Sequence, residues 1–492
     1  MRVFLLVTLG WLYVPLQASA TLSWTPNLQH AYDSLLALKL ARGRELIDLE
    51  RQTNPNNHLV EYLEDYADFI TLLITENRSE YKVLERREAA RLKILESEPT
   101  NTPWQRFARS EVLLHWALLR IKFDKSAMSA FFSIRTSYKL LQANVKAYPE
   151  FIPNGKTLGM MQVIIGTTPS GYKWLLGLLG FSATVPQGMG NLLLASSVSS
   201  PQSLEANLFR ANCFTYVLKQ PAVGTAILDS LYQSKPQHLV LGFFLSAALM
   251  KDGQSDSAFS ILKALPKSYP YMPMFLISYQ MGNILMYQGR FGEAIRYYHH
   301  FLTYYQGESN IADSWYKMYL AATLLGQKER ANNYRSKCLS VDELVTEADK
   351  NAHSQLKKQQ VLEPSLMTAR LYNDGGYHQQ ALNYLKPIGL DAYTTPEYKA
   401  EYQYRLGRIY TGLRQEDSAA YYYGQSLDLS GQSSFPFTAK AALELGYYYS
   451  KKQDWVRAKQ YLERAINVPS HAYSEGIERN AKAALAEVEK HL

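Results

Sequence analysis

Gly155-Lys156-Thr157 looks like the end of a phosphate loop. Such a loop needs a glycine five residues earlier, so that backbone N–H groups can cradle phosphates, and a strand leading into it. Position 150 is Glu150, with no glycine-rich turn around it, so the tripeptide reads as a helix start and no nucleotide partner is expected. His299 and His300 are adjacent and lack the i, i+4 spacing that sets two imidazoles on one metal. Cys213 and Cys338 are the only cysteines; they read as two buried thiols, too few for a disulfide framework or a cysteine-based metal set. No Gly-x-Ser-x-Gly elbow occurs, and Glu61 and Asp65 read as ordinary solvated helix positions. The expectation is a non-enzyme without catalytic residue, metal or cofactor.

The elements that would position a binding site are clearer. The chain has 492 residues, 47% apolar and 20% charged, a globular composition. Its net charge of +8 is modest, and basic residues alternate with acidic ones, as in Glu85-Arg86-Arg87-Glu88. That pattern is a solvated helix face, and no nucleic-acid partner is expected. Met1-Arg2, an apolar stretch over 3–12 and Gln17-Ala18-Ser19-Ala20 form a signal-peptide pattern with cleavage after Ala20. Tyrosine is unusually common, at 37 against 18 Phe and 7 Trp.

Three segments share one internal spacing. Met281-Gly282 is followed by Leu285, Ala294 and Tyr297. Leu406-Gly407 is followed by Tyr410, Ala419 and Tyr422, and Leu445-Gly446 by Tyr449, Ala458 and Tyr461. Each matches the tetratricopeptide pattern, in which a small residue on helix A and an alanine on helix B let two antiparallel helices cross closely. Weaker copies fill the gaps, so the helix B alanines are 258, 294, 331, 381, 419 and 458. The long step before Ala381 places an insertion over 341–365. It is charged and lacks glycine, and it reads as lengthened helix. No sustained strand alternation appears. The expected fold is all-α: a right-handed superhelical solenoid of tetratricopeptide-like helix pairs behind an irregular helical N-terminal block. The expected organisation is signal peptide 1–20, helical block 21–200, repeats 201–340, the insertion 341–365 and C-terminal repeats 366–492.

Within the N-terminal block, helical patterns run over 29–52, 59–75, 81–96, 105–121 and 126–146. It also holds two motifs. The first is Phe131-Phe132-Ser133-Ile134-Arg135-Thr136-Ser137-Tyr138. The second is Gly155-Lys156-Thr157-Leu158-Gly159, followed by Tyr172 to Phe181 and Gly188. In that order they resemble the tetratricopeptide repeat protein family 39, also called the inclusion-body-clearance or outer-mitochondrial Iml-type family. The resemblance implies an all-helical adaptor without catalysis. The export signal, and Ser182-Ala183-Thr184 after Gly180-Phe181, depart from that family. Together they picture an exported bacterial relative in the periplasm.

Two surfaces are candidates for binding. Helix A faces the concave groove of a repeat array, and the repeat spacing projects Tyr279, Asn283, Tyr287, Tyr316, Arg370, Asn373, Tyr404, Arg408 and Tyr447 onto it. Aromatic, amide and guanidinium groups of this kind suit a protein or peptide partner. The apolar stretch 158–194 is the second surface. Read as a helical hairpin, it either closes the N-terminal block or touches a membrane surface through Trp174, Leu175, Leu178, Leu179 and Phe181, with Gly177 and Gly180 allowing close helix approach. The expected function is therefore an exported scaffold for a protein or peptide; the alternatives are a lipid-associated adaptor and, behind it, a carbohydrate or cell-envelope binder.

Overall fold

The structure, a computed structural model, describes residues 22–97, 102–168, 176–177, 180–197, 200–357, 362–430, 436–468 and 474–492. The signal-peptide segment and Trp174, Leu175, Leu178 and Leu179 lie outside these residues. Among the described residues every regular element is helical. The chain divides into two compact units. One runs to Arg210 and includes Ser268–Met272; the other comprises Ala211–Lys267 and Pro273–Leu492.

Local sequence starts many of the helices. Thr25-Pro26, Thr102-Pro103 and Thr395-Pro396 each place a threonine hydroxyl as N-cap acceptor and a proline at the first helical position, where no N–H is needed. In the N-terminal unit the run 29–52, which reads as one helix, is instead two, Pro26–Leu36 and Leu40–Thr53. Leu38 turns the chain in the left-handed region, and Gly43 lies against the Leu35 side chain, so the pair can close as a tight hairpin. The 81–96 pattern is likewise broken by a 3-10 turn at Glu85–Arg87.

The centre of this unit is ionic and aromatic. Asp65 is fully buried, contrary to its reading as a solvated position. Its carboxylate accepts from Trp116 Nε1 at 2.7 Å and is hydrogen-bonded to His115 Nδ1 at 2.8 Å. Lys156 reaches Glu111 at 2.5 Å and Glu205 at 3.1 Å, and Tyr32 also donates to Glu205. A helix does start at Asn154, and the lysine two residues on is buried between two carboxylates.

The two family-like motifs meet in this unit. Tyr138 donates its hydroxyl to the Ser182 carbonyl at 2.9 Å, and Phe181 packs against Phe131 and Tyr138 at ring distances of 6.0 and 5.3 Å. Helix Asn154–Gly166 crosses Val185–Ser197 where Gly159 faces Gly188: a Cβ on either would lie within 2.8 Å of the other's carbonyl oxygen. The glycines that permit close approach are therefore Gly159 and Gly188, whereas a Cβ on Gly177 would meet nothing within 4 Å. Leu158, Val163 and Leu192 are buried in the hairpin; Ile164, Leu193 and Leu194 are exposed. No helix of the described residues is long and apolar enough to cross a membrane.

The second unit is built from tetratricopeptide-like pairs. Helices Leu276–Tyr287 and Phe291–Tyr304 form one, Pro396–Gly412 and Glu416–Ser430 another, Pro436–Lys451 and Trp455–Asn467 a third. The repeat glycine fits under a large side chain of helix B. A Cβ on Gly282 would sit 2.7 Å from Tyr298, one on Gly407 2.6 Å from Tyr423, and one on Gly446 2.6 Å from Leu462. The neighbouring tyrosines stack, Tyr410 on Tyr422 at 5.1 Å and Tyr449 on Tyr461 at 5.4 Å.

Between helix A and helix B the chain turns through one left-handed residue in each pair: Gly253, Gly289, Gly326, Gly376, Arg414 and Gln453. Each stands five residues before a helix B alanine, so the spacing read from the alanines is also the spacing of the turns. The following N–H closes each turn on a carbonyl five residues back, as in Arg290 to Leu285 at 2.9 Å, the six-to-one bond of a Schellman C-cap. The insertion differs from expectation. Residues 341–346 are not helical, and Glu347–Lys357 is a separate helix packed on Ile311–Leu324. Asp349 holds it there by accepting from the N–H groups of Asn310 and Asp313 at 2.9 and 3.0 Å.

Candidate functional site in the repeat groove

Within the second unit, helix A side chains from successive pairs line a cavity of about 960 Å³. Of the residues projected onto the groove, Tyr279, Asn283, Tyr287, Asn373 and Arg408 lie on its wall. Tyr316 and Arg370 line an adjoining cavity of about 280 Å³, which shares Asn283, Tyr287 and Asp374 with the first. Tyr404 is buried, packed on Tyr423 and Phe437 at ring distances of 5.9 and 6.2 Å. Tyr447 is exposed and lines neither cavity. Phe181, the one residue of the proposed lipid-contacting set that is described, is buried.

One wall is a hydrogen-bonded network. Tyr279 donates to Asp313 at 2.6 Å, and Lys317 donates to Asp313 at 2.6 Å, to the Tyr279 hydroxyl at 3.1 Å and to Asn283 Oδ1 at 2.8 Å. Tyr298 donates to the same Oδ1 at 2.8 Å. Burial alone would lower Lys317, but Asp313 and the tyrosines outweigh it and hold the ammonium charged. Burial, more than any neighbour, raises the Tyr279 phenol, which therefore stays a donor. Because Asn283 Oδ1 already accepts twice, its Nδ2 is the polar end left for a ligand.

The other wall carries charge. Arg408 meets Asp374 at 2.9 Å and Arg370 meets it at 3.3 Å. Burial pushes the Asp374 carboxyl up, yet Arg408 and Arg370 more than offset it, and the group is held below its ordinary value. Arg405 pairs with Glu401 at 2.5 Å. Burial and the three neighbouring guanidiniums push Lys440 down to about 8. Glu444 also lines the cavity; it has no hydrogen-bond or ion-pair partner among the described residues, and burial raises its carboxyl. Phe243, Phe244 and Tyr216 supply apolar wall.

Asp374 and Glu444 line the groove but escape the projection from the repeat spacing. A signal exists for Asp374, which follows Arg370 by four residues on one helix, where opposite charges meet. Glu444 stands one repeat beyond Arg405, at the same position of helix A. Lys440 lines neither cavity.

The described residues contain no cluster of three or more His, Cys, Asp or Glu that could hold a metal ion. Cys213 and Cys338 are buried, and burial raises their thiols to about 11 and about 12, so the thiolate needed for nucleophilic work is suppressed.

No protein-family model matches the chain, and no curated protein does. Among solved structures it is similar to the crystal structure of the APC/C hetero-tetramer Cut9-Hcn1, at 12% identity over 92% of this chain and 95% of that one, with a TM-score of 0.28. The fold described above rests on the helix pairs and their turns.

Proposed function

We propose that the chain is a non-enzymatic repeat scaffold that holds a segment of a protein partner in the groove of its second unit. The observation that carries this reading is the cavity of about 960 Å³, lined by Tyr279 and Asn283 from one helix A and by Asn373 and Arg408 from others. A groove built across several pairs suits an extended chain. It supplies rigid aromatic area together with fixed donors, the combination that favours recognition at low entropic cost. The same proposal puts this work outside the cytoplasm, in the bacterial periplasm, and the signal-peptide pattern at the start of the sequence supports it.

The test is a selection of linear 12-residue peptides from a random library on the purified chain, followed by titration. Selected peptides should lose at least tenfold in affinity for a Tyr287→Ala variant whose circular dichroism is unchanged. Equal binding to the variant would reject the groove as the site. Tyr279 and Asn283 suit this test less well, because both belong to the network around Lys317.

A further inference from the structure

We infer that the groove takes a basic peptide, receiving a lysine or arginine side chain at the half-buried carboxylate of Glu444. The inference rests on the scaffold reading and names its partner class.

Glu444 lines the larger cavity and has no hydrogen-bond or ion-pair partner among the described residues. The other carboxylates of that wall are engaged. Asp374 meets Arg408 at 2.9 Å and Arg370 at 3.3 Å, and Asp252 accepts from Gln254 Nε2 at 2.6 Å. Arg408 is committed to Asp374 and acts on Glu444 only at longer range. His378 adds no charge to this wall, because burial and Arg408 lower its imidazole. In the smaller cavity Lys317 pairs with Asp313 at 2.6 Å, and Arg370 with Asp374.

The two cavities together carry as many cations as carboxylates, so the case for a basic ligand is local. Of the charged groups lining them, only Glu444 and Lys251 lack a bonded partner among the described residues. Lys251 is exposed and free to be hydrated, whereas Glu444 is half-buried. An unbonded carboxylate in such a place is costly, and a charged donor is what relieves it. Burial raises Glu444 more than Arg408 lowers it, and a ligand cation would restore the ionised form. Glu444 also acts on the phenols of Tyr423 and Tyr447, so aromatic rings stand within electrostatic reach of the position an ammonium or guanidinium would take. Tyr423 lines the same cavity.

A peptide is favoured over a small amine by the polar groups left open on the same cavity. Gln280 is 6% exposed; its Nε2 donates to Ser246 Oγ at 3.0 Å, while its Oε1 accepts from nothing among the described residues. Asn283 has its Oδ1 occupied by Lys317 and Tyr298, which leaves Nδ2. An open acceptor and an open donor match the N–H and C=O of a peptide group. Phe243 and Phe244 suit apolar side chains beside the basic one.

The test uses the full mature chain and three 12-residue peptides, acetylated and amidated at their ends. They share one frame of Leu, Tyr and Ala and carry four Lys, four Gln or four Glu. Fluorescence anisotropy at low salt should rank Lys over Gln by about tenfold or more, with Glu weakest. Glu444→Gln should remove most of the Lys advantage and leave the affinity for the Gln peptide within about twofold. Glu463→Gln loses the same charge from helix Trp455–Asn467, which lines neither cavity, and should keep the advantage. Glu444 has no bonded partner to strand, so its variant should fold. Should it not, Glu444→Asp carries the comparison through a drop confined to the Lys peptide. Tyr287→Ala should weaken the Lys and Gln peptides alike, which separates loss of the groove from loss of the basic preference. Equal affinity for the Lys and Gln peptides would overturn the basic-partner assignment and leave the groove reading standing. So would a Glu444→Gln variant that keeps the preference, or a Glu463→Gln variant that loses as much of it. Failure of all three peptides under conditions where library-selected peptides bind would count against the basic partner alone.

Discussion

Gly376 lies directly against the carbonyl of Gly253, although the two sit in the turns of non-adjacent helix pairs. Tyr377 beside it donates to Asp256 at 2.6 Å, and Gln288 donates to the same oxygen at 2.8 Å. Gly253 and Gly376 both line the larger cavity, so this contact closes one side of the groove. It needs glycine twice over at position 376, whose φ is +89° and whose added Cβ would overlap the opposite carbonyl.

Gly376→Ala should therefore lower stability by about 2 kcal/mol or more, combining left-handed strain with overpacking. Urea unfolding followed by circular dichroism measures the loss. Peptide binding should weaken as well, since relief of the overlap must part the two turns.

The equivalent turn residues of the last two complete pairs are not glycine. Arg414 and Gln453 adopt φ of +60° and are exposed. Gln453→Gly should raise stability by about 0.5–1 kcal/mol, because glycine reaches this region without the steric cost. A midpoint that falls on this substitution would contradict the turn geometry.

Lys156→Met should cost about 3–5 kcal/mol, because it leaves Glu111 and Glu205 buried without their cation. Burial raises Glu205, but Lys156 and the Tyr32 hydroxyl hold it below its ordinary value, so the wild type gains stability above the unfolded carboxylate range and loses it as pH falls through the lowered value. In the variant that gain is removed, and the two proteins should converge in stability toward acid pH. A gap that stays constant down to pH 3 would show that the charges are not its origin.

Lys440 gives a signature of the same sense in a more alkaline window. Its ammonium ionises at about 8 in the folded chain against an ordinary 10.5, so between those values the unfolded chain binds more protons. Stability from this group rises with pH across that window. Buried thiols and phenols titrate in the same range with the reverse sign, so the comparison is made with Lys440→Met. The wild type should gain on the variant from pH 8 to pH 10 in paired urea titrations. A difference that does not change with pH would show that burial and the three arginines do not act on the Lys440 ammonium.

Much of the second unit is legible in its residues. Gly282, Gly407 and Gly446 mark close helix crossings because a small residue at that spacing has one packing use, and Tyr410, Tyr422, Tyr449 and Tyr461 mark the stacking between helices. The alanine spacing even follows the turns, since both repeat with the helix pair. The insertion is less legible, because a charged run without glycine fits a lengthened helix as well as a loop followed by a new helix; Asp349 decides by accepting from Asn310 and Asp313.

Local sequence alone determined that the chain is helical, where many helices start and how its pairs repeat, because caps, turns and helix contacts act over a few residues. Only the tertiary structure decided which polar groups are buried and what they meet. Asp65 has the local pattern of a surface residue, and two other helices bring His115, Trp116 and Arg91 onto it. Tyr404 and Arg408 lie one turn apart on one helix; Tyr423 and Phe437 cover the first, while the second opens on the cavity. Arg370, Arg408 and Lys440 come together from helices of three pairs, so no spacing within any one of them records their proximity.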